Sequence, residues 1–379
     1  MHIQNRNLFR LTRFVLLQLP KLFAFFARFR KPAKRLLIIK IDAIGDYILF
    51  RNFIELTAKS EKYKGYKIDL IGNQLWHGVT ATWDAQFLYQ TYFVKPNSFY
   101  EAPLKTLRFG WRLFLNNYDT VLQPTYTRTF ITDGFAALTA AREIVGYISD
   151  NEGIAPRYKS KTDRFYTKKI ELPAGVYFEF HRNKFFFEMV LGQPLQIKQP
   201  YIDIQAVAKK GIAILPGAGE YRRGWERQKF LQLIERLIAV SDEPVYLIGG
   251  PGEKDDGDYL HANLPAGSVV NLINTTTLPQ LIETIAACRL LISNETGATH
   301  IAVATKTPSV CVLGGGHFER FAPYPQDINP APLCVFEKMP CYYCNWDCIY
   351  KPQKPDNYPC IAAIEVEKVW QAVKPFLAL

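Results

Sequence analysis

The chain has 379 residues, enough for two domains, and its 48% hydrophobic and 21% charged residues are ordinary for a globular protein, which excludes wholly disordered and fibrous classes. Seven cysteines are too few for a disulfide scaffold. The net charge of +11 is uneven: residues 1–35 hold nine Lys/Arg and no Asp/Glu, and the remainder is nearly neutral, so bulk charge gives no support to a nucleic-acid partner.

The basic segment comes first. Arg6, Arg10, Arg13, Lys21, Arg28, Arg30, Lys31, Lys34 and Arg35 alternate with apolar and aromatic groups. The run Phe14–Ala27 contains Gln18, Pro20 and Lys21 and is too short to span a bilayer. Arg28, Phe29, Arg30 and Lys31 follow it where a cleavable signal needs small residues. The pattern predicts a basic amphipathic leader, 1–35, lying in the plane of an anionic membrane surface. The alternative is a helix packed on its own domain, or a frayed terminus. Nothing else resembles a span, so the body is expected to be soluble and cytoplasmic.

From residue 36 short β-branched runs alternate with helical patterns. Leu36–Ile41, Lys67–Ile71, Thr120–Gln123 and Glu143–Gly146 form a first set of predicted strands. Gly211–Leu215, Pro244–Ile248, Ser268–Leu272, Arg289–Ser293 and Ser309–Leu313 form a second. Between them Phe230, Leu231, Leu233, Ile234, Leu237 and Ile238 recur with helical period, as do the apolar residues of Leu278–Ala287. Alternation of this kind implies parallel sheets with right-handed crossovers. Two series imply two doubly wound α/β domains, joined in the polar stretch 192–210.

Three turns carry candidate chemistry. After the first strand, Asp42-Ala43-Ile44-Gly45-Asp46 leads into a helical run. Open α/β sheets bind ligands at the carboxyl ends of their strands, so Asp46 stands where a carboxylate can meet a substrate hydroxyl. A helix N-cap accounts for Asp there equally well, and Asp42 is a competing carboxylate. The G-x-G-x-x-G spacing of a dinucleotide site is absent. After Ile212–Leu215 comes Pro216-Gly217-Ala218-Gly219-Glu220-Tyr221-Arg222-Arg223-Gly224-Trp225. Free amides with two guanidinium groups suit a diphosphate; arginines paired with nearby acids are the plain alternative. The third turn is Asn294-Glu295-Thr296-Gly297-Ala298-Thr299-His300. Amides at that helix start favour phosphate, and Glu295 can accept from ribose hydroxyls, against capping for Glu295 and Thr296 and a packed ring for His300. Glu253, after the strand at 244–248, is a further candidate for a ribose or base contact.

Five cysteines lie together: Cys334, Cys341, Cys344, Cys348 and Cys360. Cys341-x-x-Cys344-x-x-x-Cys348 has the spacing of a structural metal site, with Cys334 or Cys360 as fourth ligand. Reduced thiols in an aromatic subdomain are the alternative.

Taken in series, these motifs resemble glycosyltransferase family 9, the heptosyltransferases of the lipopolysaccharide inner core. The residues that carry the resemblance are Leu37-Ile38-Ile39-Lys40 with Ile44-Gly45-Asp46, Tyr118–Gln123, Ala141–Tyr147, Leu215-Pro216-Gly217-Ala218 with Arg223-x-Trp225, and Ser293–Gly297 with His300-Ile301-Ala302. It runs from about 36 to 360 and leaves the leader outside. It implies a GT-B fold, two Rossmann-like domains facing across a cleft. The acceptor-binding domain is then 36–195 and the nucleotide-sugar-binding domain 205–360, with the cysteine-rich tail. The C-terminal helix, 361–379, in such folds often crosses back to the first domain. The family's proposed general base falls on Asp46. Gly217, Ala218, Arg222, Arg223, Glu253, Glu295, Thr296, Gly297 and His300 fall on the donor side, and Gly45 and Arg128 on the acceptor side. The family motif Asp-Thr-Gly-x-x-His has Glu295 in place of Asp. The implied activity is inverting transfer of a heptose-like sugar from a nucleotide-diphosphate sugar to a lipid-linked saccharide, without metal or other cofactor, at the inner face of the bacterial inner membrane. A sugar-nucleotide epimerase and a non-catalytic nucleotide- or glycan-binding protein are the alternatives.

Overall fold

The computed structural model describes residues 3–205, 208–353 and 356–377. The chain divides into two compact units: Met1–Val176 with His181–Gln196, and Tyr177–Phe180 with Ile197–Leu379.

The first unit is built on six parallel strands: β1 (Arg35–Lys40), β2 (Lys67–Asn73), β3 (Gln90–Val94), β4 (Thr120–Gln123), β5 (Glu143–Tyr147) and β6 (Lys168–Ile170). Their order is β3-β2-β1-β4-β5-β6. Leu36–Ile39 of β1 are fully buried, as a central strand covered on both faces requires. The chain runs outward from β1 through β2 to β3, then returns to β4 on the other side of β1. The carboxyl ends of β1 and β4 therefore flank the switch point, where open α/β sheets place ligands.

The basic segment folds as a helix, α1 (Arg6–Ala27), capped by the Asn5 side chain on the N–H groups of Asn7 and Leu8. One face is buried: Thr12, Leu16, Leu17, Pro20 and Phe23. Phe23 stacks on Phe114 at 4.4 Å between ring centroids. Leu16 packs where a Cβ on Gly134 would stand 2.4 Å from its Cδ2, so only glycine lets α1 approach the helix Phe130–Leu138 this closely. The leader is thus part of the first unit's core on one face, while Leu11, Phe14, Leu22, Phe25, Phe26 and Phe29 remain exposed on the other. Among the described residues no helix is long and apolar enough to cross a membrane.

The second unit repeats the architecture with β7 (Ile212–Leu215), β8 (Val245–Leu247), β9 (Val269–Asn271), β10 (Leu290–Asn294), β11 (Ser309–Val312) and β12 (Leu333–Val335), in the order β12-β11-β10-β7-β8-β9. Its switch point lies between β7 and β10. The helix Arg227–Val240 buries Phe230, Leu233, Ile234 and Leu237, the face its periodicity predicts. The terminal helix Val366–Leu377 sets Val366, Val369, Trp370 and Val373 into this same unit's core. Its buried face belongs to the second unit, whereas the resemblance suggested a helix crossing back to the first.

Candidate functional site

In the first unit, β1 ends in a turn that opens helix α2 (Ile44–Ile48). The N-cap position is Ala43, so Asp46 is not the capping residue; it lies in the first turn, half-buried, with Gly45 just before it. A buried network beneath fixes the turn. Tyr47 stacks on Trp76 at 3.7 Å, its hydroxyl donates to Asp84 at 2.6 Å, and Arg51 pairs with Asp84 at 2.6 Å. The Trp76 indole N–H donates to the Asp42 carbonyl at 3.0 Å. The Asp42 carboxylate is engaged by Lys40 at 3.0 Å and by the Thr125 hydroxyl at 2.7 Å. Of the two carboxylates, Asp42 thus ties the ends of β1 and β4 together.

Arg128 does not present itself to a ligand. Its side chain is fully buried, lies 4.3 Å from the Tyr166 ring, and pairs with Asp163 and with Asp133 at 3.8 Å. A guanidinium cut off from water in this way holds the stretch between β4 and β6 together, although its Nε and Nη1 have no hydrogen-bond partner.

In the second unit, the loop after β7 is held by a residue that sequence reasoning missed as a site residue. Asn294, fully buried at the end of β10, accepts the Trp225 N–H at 2.9 Å and donates to the carbonyls of Pro216 and Gly217 at 2.7 and 3.0 Å. An Asn following a strand reads as a turn residue; its bonding across two strands is visible only in three dimensions. Gly217 lets Glu253 approach closely: a Cβ there would stand 2.1 Å from Cγ of Glu253, so the Glu253 side chain would have to move. Glu253 itself closes its own loop by accepting the Gly250 N–H at 2.7 Å. A pocket of about 720 Å³ opens along this loop, lined by Gly217, Ala218, Trp225, Arg227, Asp256 and Asn357 among others. Asn357 joins the late segment to the loop by donating to the Gly224 carbonyl at 2.7 Å.

Both arginines of the loop meet Glu220. Arg222 pairs with it at 2.5 Å and Arg223 Nε lies 3.5 Å away. Arg223 also rests over the Trp346 ring at 4.6 Å. The plain alternative of an internally paired loop is therefore realised, and a diphosphate would compete with one carboxylate for two guanidinium groups.

Glu295, Thr296, Gly297 and His300 do not line that pocket. Thr296 is the N-cap of the helix Gly297–Ala304, its hydroxyl accepting the Ala298 N–H. His300 is buried and shares a hydrogen bond with the Tyr324 hydroxyl at 2.6 Å; burial pushes its pKa down to about 4, so the ring is neutral. Glu295 differs from both. Its Oε2 is buried without a hydrogen-bond partner, and desolvation pushes its carboxyl up to about 8 against the pull of Arg223. A buried acceptor left open beside a cation is chemically suited to a sugar or ribose hydroxyl.

Cys341, Cys344, Cys348 and Cys360 are free thiols packed with Trp346, Tyr342 and Tyr358. Burial raises the pKa of Cys344 and Cys360. Among the described residues, no group of three or more His, Cys, Asp or Glu side chains is placed to hold a metal ion.

The model of glycosyltransferase family 9 (heptosyltransferase) matches residues 170–345. Lipooligosaccharide heptosyltransferase 2 of Campylobacter jejuni serotype O:2 is 22% identical over 303 residues, covering 78% of this chain and 89% of the relative. Its serotype O:6 counterpart is 25% identical over 209 residues, 54% of this chain; the match spans 61% of that relative's length. Among solved structures, the Escherichia coli heptosyltransferase WaaC with ADP-2-deoxy-2-fluoro heptose aligns with a TM-score of 0.64 at 19% identity, covering 90% of this chain and 99% of the other. That likeness establishes the fold: two parallel-sheet α/β units of the GT-B kind.

Proposed function

The chain belongs to glycosyltransferase family 9, the heptosyltransferase family, and on that premise we propose that it moves a heptose-like sugar from a nucleotide-diphosphate donor to the core of a lipopolysaccharide or another lipid-linked saccharide. The transfer inverts the anomeric centre and uses no metal ion. The observation that carries the donor side is the buried, unpartnered Oε2 of Glu295 next to the charge of Arg223. Relatives named as heptosyltransferases, and a similar structure holding an ADP-heptose analogue, support the choice of donor.

In this reading the acceptor hydroxyl attacks the anomeric carbon, and Asp46 takes its proton as the bond to the diphosphate breaks. Proton transfer to a placed carboxylate contributes about 10²–10⁴-fold. The departing diphosphate gathers negative charge. Arg222 and Arg223, released from Glu220, and the amides of Gly217–Gly219 and of the helix start at Thr296–His300 offset that charge. Glu295 accepts a hydroxyl of the ribose or the sugar; protonated at neutral pH, it does so without repelling the diphosphate. Gly217 and Ala218 keep the loop low enough for the donor to approach, and Glu253 with the Gly250 amide shapes its far wall. Gly45 gives the acceptor access to Asp46. Residues 1–35 hold the enzyme at the inner face of the inner membrane.

The test is direct incubation of the purified chain with ADP-heptose and a heptose-deficient lipopolysaccharide core, in the presence of a chelator. The reading predicts an acceptor heavier by one heptose and release of ADP. Conversion of the donor without an acceptor product overturns it.

A further inference from the structure

A second large cavity, of about 820 Å³, lies entirely in the first unit, and no residue given a part in the sugar transfer lines it. Its walls come from α1, from Asn117 and Tyr118 just before β4, from Ala141 and Arg142 just before β5, and from Thr167 just before β6. These are the amino ends of parallel strands. Asp46 follows the carboxyl end of β1, so the cavity opens at the opposite edge of the same sheet from the proposed catalytic residue.

Its chemistry is divided. The floor is apolar, formed by Leu17, Pro20, Ala24, Ala137, Ala140 and Phe165. The rim is cationic: Lys21, Arg28, Arg30, Arg142, Lys161 and Arg164, with no carboxylate among the lining residues. Arg142 pairs with Asp119 at 2.9 Å. Among the described residues no acid lies within ion-pair reach of the other five, and none of the five has such a partner elsewhere. Arg30 is the most constrained. Its guanidinium lies 3.9 Å from the Phe114 ring centroid, its Nε is buried without a hydrogen-bond partner, and desolvation lowers its pKa. Five uncompensated cations around an apolar hollow repel one another unless an anion joins them. A free anion has no use for the floor; an anionic amphiphile uses both.

The surface beside the cavity says where that amphiphile comes from. On α1, Leu11, Phe14, Leu22, Phe25 and Phe26 are about half or more exposed, and Phe29 just beyond is 77% exposed. The neighbouring helix Pro103–Leu115 adds Leu104, Trp111 and Leu115, exposed to a similar degree. The Phe23 and Trp111 rings touch at 5.7 Å, so the two helices present one face. Neither helix contains an acidic residue. An apolar face of this extent, edged by cations and free of acids, matches the boundary of an anionic bilayer in both hydrophobicity and charge.

We propose that the cavity binds one anionic phospholipid of the bilayer, its phosphate among Lys21, Arg28, Arg30, Lys161 and Arg164 and its acyl chain against the apolar floor, while the exposed face of α1 and the Pro103–Leu115 helix rests in the bilayer boundary. The proposal rests on the reading that residues 1–35 lie on a membrane, and it adds a specific lipid site that the leader alone does not supply. Lys161 and Arg164 are exposed and sit outside α1, so their replacement separates the cavity from the leader.

The experiment is co-sedimentation of the full chain with vesicles of phosphatidylcholine alone or mixed with phosphatidylglycerol. Three proteins are compared: the native chain, the variant Lys161→Ala/Arg164→Ala, and the variant Phe14→Gln/Phe25→Gln. The proposal expects the native chain to prefer the anionic vesicles. It expects the Lys161/Arg164 variant to lose about ten-fold or more of that preference, with an unchanged melting temperature and unchanged binding of a nucleoside diphosphate. Glycerol phosphate and inorganic phosphate should not displace the chain. An anionic preference unchanged in the Lys161/Arg164 variant overturns the proposal, and so does displacement by either soluble phosphate. If both vesicle types bind equally and the Phe14/Phe25 variant loses both, the membrane reading stands and the lipid site falls. If the native chain ignores both vesicles, or self-associates through the Phe14 face instead, the membrane reading falls with it.

Discussion

Asn294 Oδ1 accepts the backbone N–H of Trp225 at 2.9 Å, and this bond ties the end of β10 to the far end of the loop that follows β7. The same side chain holds the near end of the loop through the carbonyls of Pro216 and Gly217. One buried amide thus sets the shape of the pocket wall. Asn294→Ala leaves a buried N–H and two carbonyls short of partners, at about 1–3 kcal/mol for an unsatisfied group. Chemical denaturation should show a loss of at least that order. Donor affinity should fall with it, and Asn294→Asp, which keeps the acceptor and loses the donors, should lie between the two. A stable variant with native donor affinity would count against this role.

The carboxyl of Glu295 gives stability a pH dependence with a definite sign. Burial raises its pKa from the ordinary 4.5 to about 8. Between those values the folded chain keeps a proton that the unfolded chain releases, so this group's contribution is fully present below about 4.5 and is lost as pH rises through about 8. Glu295→Gln removes the dependence. The Gln variant should therefore match the native chain at acid pH and gain on it progressively towards pH 8, read by urea unfolding across the range. A gap that does not change with pH would show that Glu295 titrates alike in the folded and unfolded chain.

The floor under Asp46 is a buried ion pair with a tyrosine attached. Desolvation raises the pKa of Asp84, while Arg51 and the Tyr47 hydroxyl pull it down. Removing one partner of such a pair strands the other charge, at about 3–5 kcal/mol. Asp84→Asn should lower the thermal midpoint and, through Tyr47 and the α2 turn, reduce turnover more than it weakens donor binding. Equal losses in both would mean that the damage is global.

Arg223 Nε stands 3.5 Å from an acid it shares with Arg222 and makes no hydrogen bond to it. A diphosphate offers it a stronger partner. Charge-assisted hydrogen bonds contribute about 1.5–3 kcal/mol, so Arg223→Ala should weaken a nucleoside diphosphate by roughly 10–100-fold. The corresponding nucleoside should be almost unaffected. Equal effects on both ligands would remove Arg223 from the phosphate side.

Much of the fold is legible in the sequence because central parallel strands are apolar on both faces. Leu36–Ile41 announces itself as a short, largely apolar run and coincides closely with β1, while Thr120–Gln123, with only Val121 and Leu122 apolar, is a weaker signal that coincides with β4. The three strands without a sequence signal, β3, β6 and β12, are all edge strands. An edge has one neighbour instead of two; β6 exposes two of its three residues and β12 fully buries only Val335, so the apolar signal is short or absent. The turns at Asp46, Gly217 and Glu295 are legible because strand-to-helix turns in such sheets are where chemistry gathers. The partners of Arg128 are not legible: a cation after a strand reads as a ligand contact, and only the fold brings Asp133 and Asp163 to it. The basic cavity is invisible in the sequence, since its walls come from segments that only the fold brings together.

Asp46 is the base of the proposed sugar transfer. The most direct test measures two quantities on Asp46→Asn: the rate of heptose transfer, and the dissociation constant of the nucleoside diphosphate. The account predicts that transfer falls by about 10²-fold or more while nucleotide binding stays within a few-fold of native. Native turnover in the Asn variant, or a parallel collapse of nucleotide binding, contradicts it.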